Sequence, residues 1–72
     1  MNARSQKDID MQGARVLILR GHYKGQEGVC LGKSEEKGFW AISPDASDEV
    51  LSLAFEKDFG LLLDLSGNPK LN

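Results

Sequence analysis

The chain has 72 residues, 40% of them hydrophobic and 28% charged, with a net charge of −2. That is enough for one small domain with tails and too little for a deep cleft between two lobes. No apolar run approaches the roughly 18 residues of a membrane-spanning helix, residues 1–12 lack a secretory leader pattern, and Cys30, being alone, makes neither an internal disulfide nor a thiolate zinc site.

Taken in order, Met1–Gln12 is polar and mixed in charge, which predicts a flexible N-terminal arm whose Ile9 and Met11 have some chance of docking. Val16–Leu19 is a β-branched and aliphatic run, a first strand bracketed by Gly13 and Gly21. Residues 21–25, Gly-His-Tyr-Lys-Gly, form a loop with a glycine at each end, where positive φ allows sharp turns. Gly28–Gly32 is a second strand, and the polar run Lys33–Gly38 is a hairpin tip. Phe39–Ser43 is a third strand, followed by a turn cluster at Pro44–Asp48.

Glu49–Phe55 reads as a fourth strand, with Leu51, Leu53 and Phe55 on one face by the period of two. A competing helix over Asp48–Phe55 fits partly, but two turns are marginal in isolation. Glu56–Asp58 suits a single helical turn, and Leu61–Asp64 a fifth short strand. Ser66–Asn72, with Gly67, Asn68 and Pro69, reads as a flexible C-terminal tail. Five short strands at about ten-residue spacing predict an all-β fold, a small barrel or sandwich, over roughly residues 13–65 between disordered termini.

Residues 13–30 then acquire a further meaning. Gly13, Val16, Ile18, Gly21, Tyr23, Lys24, Gly25 and Gly28 stand at the spacing of the KOW motif: glycine, hydrophobic strand, glycine–x–aromatic–basic–glycine loop, and a second strand opened by glycine. The segment resembles that motif over a quarter of the chain, departing from it at Ala14 and Cys30. The resemblance implies an SH3-like barrel of the kind found in ribosomal proteins and transcription elongation factors. It also implies contact with RNA, DNA or protein, with Tyr23 and Lys24 as the residues carried by the motif.

The charges divide unevenly. Residues 1–33 hold six cations against three anions, a balance of +3, and residues 34–72 hold three against eight, a balance of −5. Two binding surfaces follow as alternatives. Arg15, Arg20, His22, Tyr23 and Lys24, with Phe39 as an aromatic platform, would meet phosphates and stack bases. Asp45, Asp48, Glu49, Glu56 and Asp58 would meet a basic protein partner, giving an accessory or inhibitor-like interaction module.

Other residues read as structural. Cys30 sits between Val29 and Leu31 in a strand, where a free cysteine is expected to be buried filler. His22 has no second histidine or paired cysteine, so no metal site is expected, and no cofactor motif is present. Phe39 and Trp40 face opposite sides of a strand. Trp40 with Ile42 makes the stronger inward set, leaving Phe39 and Ala41 outside or covering the barrel end. No catalytic constellation emerges, so a non-enzymatic module is expected, cytoplasmic by default.

Overall fold

The structure is a computed structural model and describes residues 11–71. Five antiparallel strands form one sheet in the order β4-β3-β2-β1-β5. They are β1 (Arg15–Ile18), β2 (Glu27–Lys33), β3 (Trp40–Pro44), β4 (Leu51–Leu53) and β5 (Phe59–Leu61). The first four make a meander, and β5 crosses back to pair with β1, so the sheet curls on itself. This is a small all-β fold of the SH3-like barrel class; of the barrel and sandwich that the strand spacing allows, it is the barrel. Among the described residues there is no helix, and the Asp48–Phe55 helix alternative gives way to β4.

The core follows from alternation. Val16 and Ile18 of β1, Cys30 of β2, Ile42 of β3 and Phe59 of β5 have no exposed surface. Met11 is buried in the same cluster, and Tyr23, Trp40, Leu53, Phe55 and Leu61 pack against it half-buried. Trp40 and Ile42 thus belong to the inward set of β3, and Phe39 precedes the strand. Cys30 is wholly buried. Ile9 and the rest of the expected arm up to residue 10 lie outside the described residues.

Two devices bend the sheet. At Cys30–Gly32 the β2–β3 register shifts by one, with Cys30 opposite Ile42 and Gly32 opposite Ala41. Leu31 is the extra residue of this bulge and points outward, and Gly32 takes φ +130° beside it. At the other end of β2, Gly28 lies against β3 so closely that a Cβ there would sit 2.5 Å from the Ser43 carbonyl oxygen. Only glycine permits that approach.

Three expectations need correction. The last strand starts at Phe59, two residues before the predicted Leu61, because Phe59 pairs with Ile18 and fills the core. Residues 56–58 form a turn closed by one i→i−4 bond but not a regular helical turn, because Glu56 lies outside the right-handed region. Asp58 N–H donates to the Ala54 carbonyl (2.8 Å), Glu56 N–H to the Phe59 carbonyl (2.7 Å), and Glu56 adopts φ 72°. Residues 66–71 are held rather than trailing: Arg15 N–H donates to the Lys70 carbonyl at 2.7 Å, and Ala14 bridges to Leu71. The Asp64 carboxylate organises this last loop by accepting from the Ser66 and Asn68 amides at 2.8 and 3.0 Å.

Two substitutions test the backbone. Gly28→Ala is expected to cost about 2 kcal/mol, the range for forcing extra volume into a packed site. Glu56→Gly is expected to stabilise by about 0.5–1 kcal/mol by relieving the left-handed residue. Urea denaturation of both variants reads the two signs; a neutral Gly28→Ala would show that Ser43 yields freely.

Candidate functional site

The loops at one end of the sheet bring the chemistry together. The β1–β2 loop, residues 19–26, is a tight reversal. Gly25 N–H donates to the Ile18 carbonyl at 2.8 Å and Lys24 N–H to the Gly21 carbonyl at 3.1 Å. Gly21 and Gly25 take φ +87° and +88°, the conformation expected of them. The loop lifts Arg20, His22 and Lys24 into solvent and keeps Tyr23 half-buried against the core. The His22 and Tyr23 rings meet edge to face, centroids 5.0 Å apart.

The β3–β4 loop, residues 45–50, faces it. The Ser47 hydroxyl accepts from the Glu49 amide at 3.0 Å, and the Tyr23 hydroxyl donates to the Glu49 carboxylate at 3.1 Å. Between the two loops and β4 lies a groove of about 400 Å³, lined by Arg20, Gly21, His22, Tyr23, Glu49, Leu51 and Leu53. Its floor is aliphatic and aromatic, and its walls carry opposite charges. Among the described residues Glu49 has no cationic partner and Arg20 no acidic one.

Arg15 does a different job from the phosphate contact considered for it. Its guanidinium donates to both carboxylate oxygens of Asp45, one at 3.1 Å and the other closer still, and to Glu27 at 3.0 Å. The pairing with Asp45 and Glu27 raises the Arg15 pKa beyond its usual range, and Arg15 lowers that of Asp45. Arg15 therefore ties β1 to β2 and to the start of the β3–β4 loop.

The remaining predicted residues scatter. Phe39 lines a 240 Å³ hollow at the β2–β3 tip with Trp40, Lys33 and Lys37. That tip is at the far end of β2, roughly 20 Å from the 20–24 loop at about 3.3 Å per residue. Asp58 accepts from the Ala54 amide at 3.0 Å and so serves its own turn. Glu56 stands on that turn, away from Asp48 and Glu49 in the chain. The structure thus joins Tyr23 of the first predicted surface to Glu49 of the second. Leu51 and Leu53 join them as groove floor, although β-periodicity marks them only as core.

Comparison with known proteins adds no relative: no family model, curated protein or solved structure matches the chain. Among the described residues no group of three or more histidine, cysteine or acidic side chains is arranged to hold a metal ion. No helix among them is long and apolar enough to cross a membrane.

The Arg15–Asp45 pair predicts an acid limb in stability. Asp45 titrates lower in the folded chain than in the unfolded one. Its contribution is therefore present above about pH 4, its ordinary carboxylate value, and is lost as pH falls through the lowered folded value. Asp45→Asn is expected to lower the Tm at pH 7 and to flatten the decline between about pH 5 and 2. Tm measured against pH at low salt checks this; parallel curves for the two proteins would remove the pair from the account.

Proposed function

We propose that this chain is a non-enzymatic binding module, a KOW-like barrel that takes a basic segment of a protein partner in the groove between the 20–23 loop and β4. The observation that carries this reading is the Tyr23–Glu49 hydrogen bond. It sets a carboxylate that has no cationic partner among the described residues beside the aromatic ring that the motif supplies. A Lys or Arg side chain entering there meets the carboxylate, the face of Tyr23 and the aliphatic floor together. Asp48, adjacent and exposed, adds to the attraction and to the association rate.

The same geometry weighs against a nucleic-acid surface in this place. Arg15 is committed to two carboxylates, Glu49 stands against Tyr23, and Phe39 is at the opposite tip. Arg20 and Lys24 remain as exposed cations on the loop, fewer than the dense basic face that phosphate binding uses. The non-enzymatic reading is supported by the burial of Cys30 and the exposure of His22. A thiol inside the core is not placed to meet an exposed imidazole as a nucleophile and base pair.

Amide shifts of the isotope-labelled chain provide the test. A lysine-rich peptide is expected to move Tyr23, Glu49 and Leu51, and charge reversal at Asp48 and Glu49 is expected to abolish the effect. Short single- and double-stranded RNA and DNA are expected to leave Arg20–Lys24 unmoved at sub-millimolar concentration. Saturating, salt-sensitive shifts with the oligonucleotides and none with the peptide would give the loop to nucleic acid instead.

A further inference from the structure

The groove is lined by two charges, Glu49 and Arg20, that have no ion-pair partner among the described residues. Glu49 of the β3–β4 loop and Leu51 and Leu53 of β4 follow one another at intervals of two in the chain, with Tyr23 hydrogen-bonded to Glu49. The Asp58 carbonyl accepts from the Leu19 amide at 2.8 Å, and its carboxylate accepts from the Ala54 amide at 3.0 Å. Leu19 precedes Arg20, and Ala54 follows Leu53. These bonds hold Leu19 at the turn that follows β4, and Arg20, next in the chain, lines the groove with Leu53. From Glu49 to Leu53 is about 13 Å at 3.3 Å per residue, and no ion pair joins Arg20 to Glu49 across it.

Resting on the protein-binding reading above, we infer that the groove recognises a dipolar extended segment. A Lys or Arg reaches Glu49 and Tyr23, an aliphatic residue lies over Leu51 and Leu53, and a carboxylate reaches Arg20. The two charged positions are about four residues apart on one face of the segment. A purely basic segment satisfies Glu49 and leaves a cation facing Arg20. A dipolar one satisfies both walls, so the orientation of the bound chain is fixed by charge as well as by shape.

The fit to an extended chain comes from β4 itself. It is an edge strand, paired with β3 on one side only, and its Leu51 and Leu53 line the groove. An extended segment laid beside it presents alternate side chains to the groove at the same spacing as Glu49, Leu51 and Leu53.

The experiment is a selection of phage-displayed random dodecapeptides on the folded full chain, followed by amide-shift mapping of synthetic winners. Enrichment of an acidic and a basic residue about four apart, with an aliphatic residue between and shifts at Arg20, Tyr23 and Glu49, is expected. Glu49→Gln and Arg20→Gln each replace an exposed charge and are expected to weaken such a peptide roughly 2- to 5-fold, the range for exposed ion pairs. The double reversal Arg20→Glu with Glu49→Lys is expected to select the opposite polarity. Basic peptides that map to the groove but are indifferent to Arg20→Gln would overturn the dipolar inference and leave the groove reading standing. Winners that map elsewhere, or no enrichment at all, would overturn both.

Discussion

A single layer of side chains holds this sheet closed, and every other feature is arranged around that layer. Val16, Ile18, Cys30, Ile42 and Phe59 are fully enclosed, and none of the described polar or charged side chains is buried with them. So small a core gains most if the sheet curls tightly around it. Gly28 lets β2 approach the Ser43 carbonyl at one end, and the bulge at Leu31 re-aims the strand at the other. Phe59 then closes the far side, with its ring 5.6 Å from that of Phe55 where the two edges of the sheet come nearest.

Closure of this kind leaves an opening where β4 and the β1–β2 loop face each other, and the groove occupies it. Its walls are loops, yet each is tied to the barrel. Arg15 holds Asp45 at the start of the β3–β4 loop, Ser47 holds the Glu49 amide, and Tyr23 reaches from the opposite loop to the Glu49 carboxylate. A surface whose polar groups are already positioned loses less entropy on binding than one that must order itself. The Arg15 ion pairs are partly exposed and add only modestly to stability. Their effect is on the place of the loop that carries Asp48 and Glu49.

Strands β1 to β4 were legible because their signal is local. The alternation in Val16–Ile18 and in Leu51–Leu53, and the glycines at 13, 21, 25 and 28, need no knowledge of distant neighbours. Phe59 was misplaced because Glu56–Asp58 resembles a helical turn, and only the pairing with Ile18 makes Phe59 a strand residue. The C-terminal segment reads as a tail in the sequence because Gly67, Asn68 and Pro69 signal a turn without saying what the turn returns to. It returns to Ala14 and Arg15, more than fifty positions away in the chain. Arg15 and Asp45 are thirty residues apart, so composition assigned them to opposite charged surfaces that the fold brings into one clamp.

That misassignment explains why charge asymmetry along a sequence is a poor map of charge on a folded surface. The basic first half and acidic second half suggest two poles. Antiparallel pairing instead lays the ends of β1, β2 and β3 together, with Glu27 opposite Leu17 and Pro44 opposite Gly28. Charges from both halves therefore meet at one end of the barrel, and those close enough neutralise each other. What remains for a partner is the residue that geometry keeps apart. Among the described residues the Glu49 carboxylate accepts from a neutral hydroxyl and pairs with no cation, so it is held in place without being neutralised. Arg20 stands across the aliphatic floor from it, out of pairing range. A separated pair of this sort stores no stability in the free chain, and its favourable energy is realised when a ligand bridges the gap.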